Sequence, residues 1–163
     1  KEAHRLKGLI VALGDNYARF KVASRVLQIC PDLPFVTAIH PAASIGRDVS
    51  LGDGTVVMPG VAVGPGCAIG RFCILNTCSS LDHDSRMDDF SSLAPRATVG
   101  GNCRIGAHGA ISMGAVLIHG IQVGEAAVIG AGSTVLESIP AFKVAYGTPA
   151  RVMRSRKACD RYL

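Results

Sequence analysis

The nine residues Asn76-Thr77-Cys78-Ser79-Ser80-Leu81-Asp82-His83-Asp84 hold the densest chemistry in this chain. An imidazole titrates near neutral pH, which suits a general base that must take a proton from an attacking nitrogen or oxygen. His83 is therefore the candidate base. An adjoining carboxylate can hold its tautomer and raise its basicity, as in triad-like arrangements, and both Asp84 and Asp82 stand beside it. Asn76 carries an amide that both donates and accepts, fit to orient an acceptor group or a carbonyl. Ser79, Ser80 and Ser85 lack the G-x-S-x-G elbow of a serine nucleophile, so direct transfer is favoured over a covalent intermediate.

A repeat must position this block. Every sixth residue from Ile39 through Ile45, Leu51 and Val57 to Ile129 and Val135 is aliphatic, in seventeen slots without exception. Glycine follows the aliphatic residue at Gly46, Gly52, Gly64, Gly70, Gly100, Gly106, Gly124 and Gly130, which reads as a turn at a corner that tolerates a φ > 0 residue. Four residues after the aliphatic comes a small side chain at thirteen of the seventeen repeats, among them Thr55, Cys67, Cys73, Ala97 and Cys103, as a crowded interior requires. Neither a period of two nor one near 3.6 fits six, so a parallel β-solenoid is expected.

The pattern (aliphatic)-Gly-x-x-(small)-x resembles the signature of the hexapeptide-repeat, left-handed β-helix superfamily. The resemblance implies a mainly β fold, a left-handed parallel β-helix of five to six coils with three hexads per coil, and trimers whose active sites lie between subunits. Residues eighteen apart then stack at roughly 4.8 Å. Gly101 falls one coil from His83 on the same face, and Thr77, Pro95, Met113 and Ala131 form one column. His83 and His119 fall two coils apart, roughly 9.6 Å.

The block around His83 resembles the Asn-Thr-x-x-x-(aliphatic)-(acid)-His-(acid) segment of one branch of this superfamily, the sialic acid O-acetyltransferases and UDP-4-amino-sugar N-acetyltransferases of bacillosamine synthesis. That resemblance implies acetyl-CoA as co-substrate and the amino group of a UDP-4-amino sugar as acceptor, with a sugar hydroxyl as the alternative. His83 is then the base and Asp84, usually glutamate in the family, its orienting acid. Gly101 matches a glycine whose N–H would stabilise the oxyanion. Ser92 stands where the family often has a cofactor-contacting histidine. Met113 and Ala131 fall where it contacts pantetheine and adenine. Tyr146-Gly147-Thr148-Pro149-Ala150-Arg151 resembles the Gly-x-Pro-Ala-(Lys/Arg) exit, placing Gly147 and Pro149 by the cofactor, and the following arginines Arg154 and Arg156 could pair with its phosphates.

Ahead of the repeat, Gly8 to Gly14 reads as a strand, Asp15-Asn16 as a cap, Tyr17 to Ile29 as an amphipathic helix and Phe35 to Ile39 as a second strand. This β-α-β piece resembles part of the Rossmann-like domain that precedes the solenoid in that branch, lacking the upstream glycine-rich phosphate loop. The chain starts at Lys1, so a truncated domain is expected. Gly14 and Asn16 match the family's Gly-(Asn/Asp)-Asn turn, whose helix N-terminus can face the uracil or sugar. The domains expected are 1–38 nucleotide-sugar binding, 39–140 transferase and 141–163 a basic C-terminal extension.

The chain has 163 residues and a formal charge of +5, with the excess in Arg151, Arg154, Arg156, Lys157 and Arg161. Without interleaved aromatics this favours a phosphorylated small ligand over nucleic acid. No apolar run reaches the roughly 18 residues of a membrane span. Cys67, Cys73 and Cys103 in the small interior slots read as reduced core thiols, implying a cytoplasmic protein. A γ-carbonic-anhydrase-like zinc site needs ligand atoms much closer than two coils allow, so no metal is expected. A non-enzymatic scaffold is the third reading.

Overall fold

The computed structural model describes residues 6–162. Seventeen two-residue strands, one per hexad, run from β1 (Ala38–Ile39) to β17 (Thr134–Val135). The first fourteen each pair in parallel with the strand eighteen residues on, as Ser80↔Thr98 and Thr98↔Val116 illustrate. Three flat faces result, forming a parallel β-solenoid of about six turns. The first face takes β1, β4 (Val56–Val57) and every third strand to β16 (Val128–Ile129); the second takes β2 (Ser44–Ile45) to β17, and the third β3 (Ser50–Leu51) to β15 (Gln122–Val123).

The hexad explains itself in this geometry. The aliphatic residues point inward, from Val57 through Leu75, Leu93 and Ile111 to Ile129, each at 1% exposure or less. At roughly 1.5–3 kcal/mol per fully buried aliphatic side chain, this column supplies the main driving force. The small slots fill the space between. Cys67, Cys73 and Cys103 are buried, and their thiols donate to the carbonyls of Asp82, Asp88 and Ile118 at 3.1, 3.3 and 3.2 Å.

The glycines that follow the aliphatic residues are not the left-handed residues that the sequence suggested. Positive φ falls two positions later, at Asp48, Gly54, Gly60, Gly66, Phe72, Cys78, Asp84, Phe90 and on to Gly132. Close approach is what the other glycines serve: a Cβ on Gly64 would lie 2.5 Å from the backbone nitrogen of His83 in the next coil. The non-glycine corners carry strain of order 1 kcal/mol or more each. Ladder bonds offset it, as where Asp84 N donates to Pro65 O at 3.0 Å and Asn102 N to His83 O at 2.9 Å.

Helix α1 spans Asn16–Ile29, and its N-cap Asp15 accepts from Ala18 N at 2.8 Å. The strands expected on either side reduce to one parallel bridge, Leu9↔Phe35, because Ala38–Ile39 pairs instead with the solenoid. The helix leans on the corner between the third and first faces. There Phe72, Phe90 and His108 stack at eighteen-residue spacing, with centroids 4.8 and 5.4 Å apart. Arg19, 1% exposed, clamps this junction: it donates to the carbonyls of Phe72, Phe90, Leu13 and Gly14 and to Asn16 Oδ1.

Beyond residue 140 the chain is built into the solenoid. β18 (Lys143–Gly147) extends the first face in parallel with β16, and β19 (Ala150–Ser155) pairs antiparallel with it.

Candidate active site

Leu81 ends the strand β8 (Ser80–Leu81) with its side chain buried, and the chain turns a corner through Asp82, His83 and Asp84. The left-handed conformation of Asp84, at φ 56°, folds its carboxylate back on the preceding ring. His83 Nδ1 and Asp84 Oδ2 lie 3.0 Å apart. Asp82 accepts the His83 backbone N–H at 2.8 Å, so Asp84 is the carboxylate placed against the ring. The shorter acid therefore reaches. Hydrogen bonding to Asp84, reinforced by the charges of both aspartates, raises the imidazole above its ordinary pKa.

With Nδ1 held by Asp84, Nε2 is the free nitrogen of the ring. It lies over Gly101, one coil on, where a Cβ would come within 2.5 Å of it. Gly101 leaves room for the ring, and its own amide has no acceptor among the described residues. A basic nitrogen beside an unpaired N–H is the pair that acyl transfer requires, one group for the proton and one for the oxyanion.

The residues expected to hold the cofactor gather elsewhere. A cavity of about 500 Å³ lies over the first face, and Gly14, Asn76, Ser92, Met113 and Ala131 all line it. Its floor is small and apolar, with Ala94, Ala110 and Gly130, which suits an extended thin chain. Asn76 Oδ1 accepts the Thr77 amide at 2.8 Å, while its Nδ2 has no acceptor among the described residues. Gly147 and Pro149 lie outside the lining, at and just beyond the end of the strand that pairs with β16. His83 stands one corner away, across the second face, so a single chain does not bring this imidazole and the cavity together.

Other expectations shift. Asn16 is 1% exposed; its Oδ1 takes Arg19 and its Nδ2 donates to His108 O and Gly109 O at 3.2 and 3.1 Å. Its amide ties helix to solenoid. Arg156, 6% exposed, donates to Ala126 O at 2.6 Å and to Asp160 O, which leaves Arg154 as the tail arginine on the cavity wall. The His83 and His119 ring centroids are 6.3 Å apart, closer than rung counting suggested, because side chains lean where the intervening residue is glycine.

Tyr162 had no periodic signal to mark it. It lines the cavity, accepts the Asn16 backbone N–H at 3.1 Å, and burial raises its phenol's pKa.

Residues 42–77 match the bacterial transferase hexapeptide (six repeats) family. In structure the chain is similar to PerB from Caulobacter crescentus, solved in complex with CoA and GDP-perosamine, at 34% identity over 93% of this chain and 72% of that one, with a TM-score of 0.89. It is similar to the acetyltransferase domain of PglB from Neisseria gonorrhoeae, solved in complex with acetyl coenzyme A, at 30% identity over 90% and 70%, with a TM-score of 0.86. Among curated proteins, serine acetyltransferase of Buchnera aphidicola is 30% identical over 99% of this chain and 55% of its own length. The Escherichia coli serine acetyltransferase is 31% identical over 78% and 41%. The chain spans about half the length of the curated relatives it matches. With an unbroken hexad, the solenoid that hexad builds and relatives of this identity and coverage, the chain belongs to the hexapeptide-repeat acyltransferase superfamily.

Proposed function

We propose that this protein transfers an acetyl group from acetyl-CoA to the amino group of a nucleotide-linked sugar, with His83 as general base. The observation that carries the proposal is the His83 imidazole, held by Asp84 at 3.0 Å, with its free nitrogen over Gly101. The acceptor nitrogen attacks the thioester carbonyl while His83 Nε2 takes its proton. The Gly101 N–H meets the oxyanion, and the thiolate leaves with the proton returned by His83. No acyl-enzyme is involved.

Acetyl-CoA would lie along the first-face cavity, against Ser92, Met113 and Ala131, with Gly147 and Pro149 beyond and Arg154 near its phosphates. Asn76 Nδ2 would orient the thioester carbonyl or the acceptor. Gly14 would face the sugar nucleotide from the partial Rossmann-like unit. Asn16 would act there through the helix it anchors. The corner of one copy that carries His83 would meet the first face of another, so a homotrimer would complete each site, and the assembly would work in the cytoplasm.

The PerB complex with GDP-perosamine supports a sugar nucleotide acceptor, and a UDP-4-amino sugar is the version the His83 block favours. The serine acetyltransferases among the relatives favour a second reading, transfer to a hydroxyl.

The test is CoA release from acetyl-CoA with GDP-perosamine, UDP-4-amino sugars, sialic acid and serine, beside His83→Ala. The expected result is turnover of an amino sugar and a loss of at least ~10²-fold in the variant. An unimpaired variant would remove His83 from the chemistry.

A further inference from the structure

His119 has no part in the chemistry above. It is exposed, and the register of the second face places it in the column His83, Gly101, His119. Two rungs of backbone, about 9.6 Å, separate the two histidines, yet their ring centroids lie 6.3 Å apart at an interplanar angle of 44°. Gly101 permits this approach, because His83 Nε2 occupies the place its Cβ would take. A centroid separation of 6.3 Å keeps the ring nitrogens roughly 4 Å or more apart, beyond the about 2.6–3.2 Å of a direct hydrogen bond. One polar atom between the rings can reach both. The charged groups around the pair are Asp82 and Asp84 on the rung of His83, and Glu137 on the rung after His119, its Oε1 3.9 Å from Arg151 Nη1.

We propose that His119 is a second proton acceptor of the same site, serving the attacking nitrogen. This inference rests on the reading of the protein as an amine acetyltransferase. An aliphatic amine with a pKa near 8 or above is largely ammonium at neutral pH, so its nitrogen must lose two protons on the way to an amide. A single imidazole takes one. His119 accepts the first, which leaves the free amine. The nitrogen lone pair then forms the C–N bond as the carbonyl π pair moves to oxygen, and His83 Nε2 takes the second proton. The oxygen pair returns, the C–S bond breaks, and the thiolate takes the proton from His83. The proton on His119 passes to water, so each turnover of an ammonium acceptor releases one proton to solvent.

The test is His119→Gln in the full chain, an exposed replacement of similar reach that cannot accept a proton at this pH. kcat/KM for the preferred nucleotide-linked amino sugar is measured from about pH 6.5 to 9.5, beside His83→Ala and with the melting temperature of each variant. The expected result is a deficit of about tenfold or more near neutrality that closes as the pH passes the pKa of the amine, with an unchanged melting temperature. A deficit of equal size at every pH, or none, overturns the proposal. If His83→Ala is inactive while His119→Gln matches the unaltered protein, His119 alone is refuted. If the unaltered protein acetylates no amine, the proposal falls together with the reading beneath it.

Discussion

Gly101→Ala places one methyl group where the account can least accommodate it. The new Cβ would lie 2.5 Å from His83 Nε2, 2.7 Å from Cε1 and 2.9 Å from Cδ2, all inside van der Waals contact. Gly101 has no positive φ, so the backbone accepts alanine without strain, and the atoms displaced belong to a half-exposed ring free to swing outward. The fold should therefore hold, with a change in stability of about 1 kcal/mol or less. The ring cannot move by about 1 Å and keep its 3.0 Å contact with Asp84. Misplacement on that scale costs on the order of 10²-fold in rate. Alanine retains its N–H, so the loss would report the position of the base and not the oxyanion donor. The assay is steady-state CoA release, with calorimetric CoA affinity and a thermal melt as controls. A variant of normal turnover would refute the placement of Nε2 over Gly101, and one that unfolds would refute the claim that only the ring yields.

Three further outcomes follow from named contacts. Asp84→Asn removes the group that raises the pKa of His83, so the acid limb of the pH–rate profile should move to lower pH while the maximal rate falls; a limb that stays in place would show that Asp84 does not set the basicity. Arg19→Met leaves the carbonyls of Phe72, Phe90, Leu13 and Gly14 unpaired, so chemical denaturation should show a loss of about 3 kcal/mol or more and early release of α1. Thiol labelling of the native protein should modify Cys78 and Cys159 quickly and leave Cys67, Cys73 and Cys103 until unfolding, because burial makes the core thiols inaccessible and pushes Cys73 up to about 11.

The solenoid was readable because its geometry forces one side chain in six inward, so the pattern survives without any knowledge of tertiary contacts. His83 was readable for a related reason, as a titratable residue beside two acids at a corner of the repeat. The glycines were misread because a missing Cβ serves two purposes, and only the backbone distance at Gly64 tells close approach from left-handed φ. His119 was misplaced because counting rungs measures backbone, whereas the ring of His83 leans across Gly101. Arg19 and Tyr162 carry no periodic signal at all: one is a helix residue whose burial depends on the Phe72 corner, the other an aromatic in a basic tail that returns to the helix N-terminus. Contacts made across some 50 to 150 residues of chain leave no local trace.

In the proposed assembly the base on one copy serves the cavity of another. His83→Ala and Ala94→Trp, which fills the cavity floor, should each be inactive alone. Refolded together in equal amounts, they should recover up to about one quarter of the unaltered rate, since half the bases and half the cavities remain intact in a randomly assembled cyclic oligomer. Mixtures that stay as inactive as their components would contradict a site shared between copies.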